Sequence, residues 1–187
     1  MESGLRRSGP RRRWYLGALA AILASSLVTC GVSGADDSAD GLFHWKISTA
    51  VEIDAPPARV WSVLVDLPAY REWNPFIVEA TGKVVVGEEL SLRMALPGRD
   101  PMSIQPRLLV VEPERELRWK GKLLLPGLFD GEHVFELTPL ENGRTRLDHF
   151  EQFGGLLLPI ARSMVYEDTV QAFHALNAAL AQRAAMR

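Results

Sequence analysis

The sequence predicts an α+β domain in which a seven-stranded, curved antiparallel sheet wraps around a long C-terminal helix, with two short helices after strand 1. Three observations predict it. Apolar and polar residues alternate with period two in segments between 45 and 153, turn signals separate those segments, and the pattern after Pro159 becomes helical. A run of antiparallel strands must curl to bury one face, and only the last helix is long enough to fill the concave side.

The first 35 residues are predicted to be a signal peptide or membrane anchor. Arginines at 6–13 precede residues 14–29, which carry no charge, and small residues follow up to Ala35. This order of basic, apolar and small segments is typical of a secretory signal, whereas a disordered tail would leave the uncharged run in water. Three fates stay open: cleavage after Ala35, lipidation of Cys30, and an uncleaved anchor.

The predicted domain boundaries follow from this leader. Residues 36–44 are expected to be a polar linker, and 45–187 form the folded domain. We expect an exported or membrane-associated protein, secreted or in a bacterial cell envelope, that meets the membrane through its N-terminal segment.

Charge and composition exclude several classes of site. Outside residues 1–35 there are 16 basic and 22 acidic residues, so the body is acidic and nucleic acid is not an expected partner. The single cysteine, Cys30, lies in the leader, so no disulfide or thiolate chemistry is expected in the domain. The four histidines lack metal-ligand spacing, and no nucleotide-binding glycine pattern occurs. We expect neither a metal nor a cofactor.

The first strand and the short helices are read from residues 45–76. In 45–53 the inward face is predicted to carry four residues, Ile47, Thr49, Val51 and Ile53. The prolines at 56 and 57 end this strand and suit the first turn of a helix over 58–65. A second short helix over 69–73 is stopped by Asn74 and the proline that follows it.

Six further strands and the last helix complete the domain. The strands are predicted over 76–81, 89–96, 102–111, 117–123, 131–140 and 144–153. Glu141-Asn142-Gly143 is a hairpin signal between the last two strands. After Pro159 an apolar helical stripe is formed by Ile160, Met164, Val170, Phe173, Leu176 and Leu180.

Several motifs in these elements resemble those of the Bet v 1/START-like (SRPBCC) superfamily, within its polyketide cyclase/dehydrase and lipid-transport group. They are Val51-Glu52-Ile53-Asp54-Ala55-Pro56 with Val60-Trp61, Tyr70-Arg71-Glu72-Trp73-Asn74-Pro75-Phe76, His133-Val134-Phe135-Glu136-Leu137-Thr138-Pro139, Gly143-Arg144-Thr145-Arg146-Leu147, and Glu151, Phe153 and Gly154. The resemblance covers about 45–185. It implies the helix-grip fold, which hosts carriers, cyclases, hydrolases and cochaperones, so the fold alone does not determine the function.

The inward faces of the strands and the helix are expected to line an apolar ligand cavity. On simple alternation, the lining residues are Leu90, Leu92, Met94, Leu117, Trp119, Phe135, Leu137, Leu147, Phe153, Met164, Phe173 and Leu176. The alternative is that these side chains fill the interior completely, as they do in most proteins. Gly121 and the methionines favour a cavity, because glycine leaves a gap in its face and methionine adapts to irregular partners.

Three polar residues are candidates for chemistry within that cavity. His149 and Glu151 share a strand face with Leu147 and Phe153, and His133 lies on the adjacent strand. Facing inward, such a His/Glu set could move protons near neutral pH. A two-residue turn at Asn142-Gly143 would instead place His149 opposite Glu136, on the outer face, where a surface ion pair is the alternative.

The sequence leaves three functions open. The first is a carrier that encloses a hydrophobic small molecule such as a lipid, isoprenoid or polyketide, with the last helix and residues 96–102 forming the entrance. The second is a polyketide cyclase or dehydratase that uses His149 and Glu151 as acid and base. The third is an interaction module with a filled core and no ligand. The absence of a triad or cofactor motif favours the carrier.

Overall fold

A computed structural model describes residues 32–122 and 125–186, with side chains except at 32–40 and 163–165. The strands of this part are β1 Val32–Gly41, β2 His44–Ile53, β3 Ile77–Thr81, β4 Ser91–Met94, β5 Met102–Ile104, β6 Arg107–Glu112, β7 Glu116–Lys122, β8 Asp130–Pro139 and β9 Thr145–Gly154. The helices are α1 Pro57–Val65, α2 Tyr70–Trp73 and α3 Leu158–Ala185, with a 3-10 turn, Leu67–Ala69, between α1 and α2.

The strands form one curved antiparallel surface made of two sheets. The larger sheet has the order β1-β2-β9-β8-β7-β6, and the smaller one has the order β3-β4-β5. The chain preceding β4 joins them, because the Leu90 amide donates to the carbonyl oxygen of Pro106 at 2.9 Å and Glu89 pairs with Arg107. The predicted helix-grip arrangement, a curved sheet around a long C-terminal helix, is confirmed.

The predicted number of seven strands is too small for two reasons. The strand expected over 102–111 is divided into β5 and β6 at Gln105 and Pro106, where proline has no amide hydrogen for a ladder. The expected linker, 36–44, instead continues β1 and its turn into β2, with Asp36 opposite Ser48. Without β1, β2 would be the edge strand of the sheet, with backbone groups free to pair with any extended segment. Because β1 pairs with β2 through its backbone, its sequence does not need to alternate apolar and polar residues. Residues 1–31, with Cys30, lie outside the described residues.

The hairpin between β8 and β9 closes through a longer turn than the two-residue form. The last register pair is Pro139 with Thr145, and the Leu140 amide donates to the Arg144 carbonyl oxygen at 2.9 Å. Asn142 within this turn has a φ of 65°, a conformation that asparagine tolerates. This register places His149 opposite Phe135 rather than Glu136. A slip of one residue exchanges the two faces of a strand, so His149 points inward.

Helix α3 lies along the concave side of the sheet and packs mainly against β2 and α1. Phe173, Leu176 and Leu180 are among the buried apolar residues of α3. Its C-terminal end is held by α1, where the Arg59 guanidinium donates to the carbonyl oxygens of Ala184 and Met186 at 3.4 and 3.2 Å. These contacts satisfy carbonyl groups that a helix end leaves free.

Candidate functional site

A cavity of about 210 Å³ lies between the sheet and the first half of α3. Its sheet wall is formed by Leu92, Met94, Ile104, Trp119 and Phe153. Residues nearer the surface, which form the mouth, are Leu96, Met102, Phe129, Leu157 and Ala161. The wall is overwhelmingly apolar, and two of the residues at the mouth, Met102 and Leu157, are more than a third exposed. This is the composition expected of a site for a small apolar ligand.

Two glycines lie at the wall of this cavity. Gly121 on β7 and Gly131 on β8 are register partners, and both line the cavity. Gly121 has no side chain to cover the sheet, so the concave surface is recessed at that position, whereas the carboxyl of Glu151 fills the space over Gly131. The gap that the sequence predicts at Gly121 therefore lies at the cavity wall.

The predicted lining residues divide into two groups. Leu92, Met94, Trp119 and Phe153 line the cavity. Seven others are buried in the core and do not line it: Leu90, Leu117, Phe135, Leu137, Leu147, Phe173 and Leu176. The side chain of Met164 lies outside the described residues. Alternation predicts which face of a strand points inward, but the cavity occupies only the half of the interior away from the β8–β9 turn.

An exposed apolar rim adjoins the mouth of the cavity. It consists of Leu42, Phe43, Leu125, Leu156 and Ile160, which are 43–69% exposed. Backbone hydrogen bonds hold its segments together, from the Gly155 amide to the Phe43 carbonyl oxygen and from the Leu156 amide to the Gly127 carbonyl oxygen. A cluster of this kind on a protein surface usually marks a contact site.

A buried row of polar side chains leads away from the cavity wall. Oε2 of Glu151 lies 3.4 Å from Nδ1 of His133, and both residues line the cavity. Nε2 of His133 is 2.7 Å from Nε2 of His149, whose Nδ1 is 2.7 Å from Oδ1 of Asn177. The Asn177 amide donates to the Thr49 hydroxyl at 2.9 Å, and that hydroxyl donates to the His149 carbonyl oxygen at 3.0 Å. His149 therefore lies behind His133 and is fully buried.

Aromatic rings enclose the two imidazoles of this row. The His149 ring stacks on Phe173 with ring centroids 4.0 Å apart and on Phe135 at 4.5 Å. His133 stacks on Trp119 at 4.9 Å. Such surroundings exclude water and disfavour a charged ring.

Burial determines the ionisation of these groups. It lowers the pKa of His133 to about 3 and is the largest cause that lowers the pKa of His149 well below 6.5, followed by the nearby His133. Burial also raises the pKa of Glu151 to about 8, because a carboxylate would lose its hydration in the apolar cavity. All three side chains are consequently uncharged at neutral pH.

The sequence matches the family model of polyketide cyclase / dehydrase and lipid transport over residues 44–184. The chain belongs to this family. No curated protein matches it significantly. Within the described residues, no group of three or more His, Cys, Asp or Glu side chains is placed to hold a metal ion, and no helix is long and apolar enough to cross a bilayer.

Solved structures share the fold of this family member at low sequence identity. An aromatase/cyclase from a Streptomyces species, Zhui, is 20% identical with a TM-score of 0.64, over 75% of this chain and 93% of that one. A protein from Arthrobacter aurescens is 21% identical, with a TM-score of 0.60 over 80% and 91% of the chains. A norcoclaurine synthase from Thalictrum flavum, in complex with a transition-state analogue, is 13% identical, with a TM-score of 0.58 over 80% and 96%.

Two members of the polar row were not singled out from the sequence. Thr49 was placed on the inward face of its strand, but as an ordinary core position. Asn177 follows Phe173 by four residues and so lies on the apolar stripe of the last helix. A lone amide on such a stripe is a signal that could have been used, because buried amides require hydrogen-bond partners.

Proposed function

We propose that this family member binds a hydrophobic small molecule in the cavity between the sheet and α3. The observation that carries the proposal is the cavity itself, which is apolar on nearly all sides and is lined by Leu96 of the 95–101 loop and by Leu157 and Ala161 at the start of α3. Its open interior also argues against an interaction module with a filled core. Family membership supports the same function, since the family description includes lipid transport as well as cyclases.

The energetic basis of binding is the removal of apolar ligand surface from water. Each 100 Å² of such surface contributes about 2.5 kcal/mol before the costs of ordering the ligand. The wall residues are already placed by the sheet, so little of the protein needs to be rearranged. A lipid, isoprenoid or polyketide with few polar groups fits this site.

Native mass spectrometry of the purified full chain tests the proposal. We expect a co-purified hydrophobic molecule, or uptake of a fluorescent hydrophobic probe by protein that has been stripped of it. A clean apo mass combined with no uptake of the probe would contradict the proposal.

A matched pair of variants on α3 assigns the binding to the cavity. Ala161 lines the cavity, whereas Gln171 is exposed on the same helix. Ala161→Phe places a ring in the cavity and is expected to weaken probe binding at least about tenfold, because the ring occupies the volume that the ligand needs. Gln171→Phe adds the same ring outside the cavity and is expected to leave binding unchanged. Equal binding by both variants would place the probe elsewhere.

One observation favours a second function, acid–base catalysis of a cyclase or dehydratase type. Glu151 keeps a proton near neutral pH and borders the cavity beside His133, and a carboxyl group with a pKa of about 8 suits a general acid. In this reading His133 replaces His149 as the partner of Glu151, because His149 does not reach the cavity.

Turnover of a poly-ketone substrate separates the two functions. A catalytic Glu151 predicts that Glu151→Gln loses turnover while ligand binding is retained, because the amide keeps the shape of the acid but has no proton to transfer. Undiminished turnover in that variant, or no turnover by the wild-type chain, would leave the carrier function alone.

The proposal includes export or attachment to a membrane. It is supported by the uncharged run over 14–29 and by the exposed apolar rim at the cavity mouth, from which a ligand could pass directly into lipid. The mass of the protein isolated from its native cell tests it. A diacylglyceryl group on Cys30, a new N-terminus after Ala35, or the full leader in the membrane fraction each supports one fate. A full-length soluble protein contradicts all three.

A further inference from the structure

The buried polar row can carry its hydrogen bonds in only two directions. Both imidazoles are neutral, so each has one N–H group and one nitrogen lone pair. Their facing Nε2 atoms, 2.7 Å apart, must therefore share a single hydrogen. The ring that donates this hydrogen has a lone pair on its Nδ1 atom, and the ring that accepts it has an N–H group there. The direction of this one bond therefore determines the direction of the next bond at each end.

Asn177 decides the direction. Its Nδ2 group donates to the Thr49 hydroxyl, which leaves Oδ1 as the atom that faces Nδ1 of His149. Because Oδ1 can only accept, His149 carries its hydrogen on Nδ1 and a lone pair on Nε2. His133 must then donate from Nε2 to His149, and its own lone pair is on Nδ1.

The lone pair on His133 Nδ1 faces Oε2 of Glu151 at 3.4 Å. A carboxylate there would set two acceptors against each other, whereas a protonated Oε2 presents its O–H group to the nitrogen. The raised pKa of Glu151 and the lowered pKa of His133 agree with this arrangement, since both favour the neutral pair. Among the described residues that line the cavity, the other titratable group is Lys122 on β7, while α3 contributes Thr169 and Ala161, which carry no charge.

The second oxygen of Glu151 is left for the cavity. Oε1 occupies the space that a β-carbon at Gly131 would take, on the inward side of β8. With the hydrogen on Oε2, Oε1 is the carbonyl oxygen of the acid and can only accept a hydrogen bond. The cavity wall thus offers an acceptor on Glu151, which is the first of five linked residues.

We propose that the ligand is an uncharged hydrophobic molecule carrying a hydroxyl or N–H group, which donates a hydrogen bond to Oε1 of Glu151. This inference rests on the proposed binding function and adds the chemical class of the ligand to it. A carboxylate ligand would place a second acceptor and a negative charge against Oε1 in a dry cavity, which is unfavourable. An ether or ester leaves Oε1 without a partner, so it binds through apolar contacts alone.

Probes that share one alkyl chain and differ in the head group test the assignment. We use decanol, its methyl ether and decanoate, with calorimetric titration of the full chain stripped of ligand. Decanol is expected to bind about five- to tenfold more tightly than the ether, the value of one additional neutral hydrogen bond. Decanoate is expected to bind more weakly than either.

Two substitutions at Glu151 identify the atom responsible. In Glu151→Gln the amide nitrogen can donate to His133 while its carbonyl oxygen faces the cavity, so the preference for decanol over the ether should persist. Glu151→Leu lacks both groups, and the preference should disappear while the ether still binds. Loss of the preference in both variants would overturn the proposal, because Gln keeps an acceptor oxygen at this position and the acceptor would then not be what distinguishes decanol from the ether.

The hydrogen-bond direction is also measurable without a ligand. Long-range proton–nitrogen correlation spectra report the tautomer of each histidine ring, and we expect His149 with its hydrogen on Nδ1 and His133 with its hydrogen on Nε2. The opposite tautomers would overturn the proposal. If decanol and the ether bind equally, the proposed function stands and the hydroxyl assignment fails, whereas failure of every probe to bind the wild-type chain refutes both.

Discussion

Replacing Glu151 by Gln removes a group whose proton affinity changes on folding. In the folded chain burial raises the pKa of this carboxyl to about 8, whereas an ordinary Glu has a pKa of 4.5. Between those values the folded state holds a proton that the unfolded state has released. At this carboxyl the unfolded state then binds fewer protons, so the contribution of Glu151 to the stability falls as pH rises through this window.

The size of this effect follows from the shift. One proton corresponds to about 1.4 kcal/mol per pH unit, so the whole window amounts to about 3 to 5 kcal/mol. Glutamine does not titrate, and Glu151→Gln should therefore gain stability over the wild type steadily from about pH 5 to about pH 8. The two buried histidines titrate in both proteins, so the difference isolates Glu151.

Urea unfolding followed by tryptophan fluorescence at several pH values measures that difference. The matched control is Glu167→Gln, because Glu167 is exposed on α3. We expect its stability to run parallel to that of the wild type at every pH. If the difference between Glu151→Gln and the wild type does not change with pH, the carboxyl is not held protonated in the fold, and the argument from burial is refuted.

Three further predictions concern the same site. Asn177→Leu leaves the Nδ1–H group of His149 without a partner and should lower the free energy of unfolding by about 2 kcal/mol in urea denaturation, and an unchanged free energy would contradict this. Gly131→Ala should lower the thermal midpoint of unfolding, because its β-carbon displaces the Glu151 carboxyl. Gly121→Ala is the control, since its β-carbon would make only ordinary contacts and should not lower the midpoint. Equal midpoints for the two variants would contradict the prediction. The wild type should lose stability as pH falls from about 6.5 towards 4.5, by up to about 1.4 kcal/mol per unit, because the unfolded state protonates both imidazoles, His133 and its neighbour, while the carboxyl of Glu151 offsets one of these two protons. A flat urea midpoint there would be the contrary result.

The local pattern was sufficient for most of the architecture. Alternation at Ile47, Thr49, Val51 and Ile53 predicts the inward face of the first core strand, and all four are buried. Such periodicity is a property of consecutive residues, and burial of one face follows from it directly. The hairpin at Glu141-Asn142-Gly143 was placed correctly for the same reason, although its length was not.

The register between strands and the residues that line the cavity could not be predicted from the local pattern. The register of β8 against β9 depended on one residue of turn length, and that residue decided whether His149 pointed into the protein. Several inward leucines and phenylalanines pack in the core because α3 closes that half of the interior, whereas the cavity lies in the other half. Strand periodicity carries no information on how closely a distant helix approaches.

The sequence by itself determined the family and the order of the elements from β2 onward, apart from the division between β5 and β6, because these follow from consecutive residues. Tertiary structure alone decided where the cavity lies, that β1 covers the edge of β2, and that Thr49 and Asn177 complete a row beginning at Glu151. The physical reason is distance along the chain. A hydrogen bond between residues more than one hundred positions apart depends on how the whole chain packs, and no local pattern encodes it.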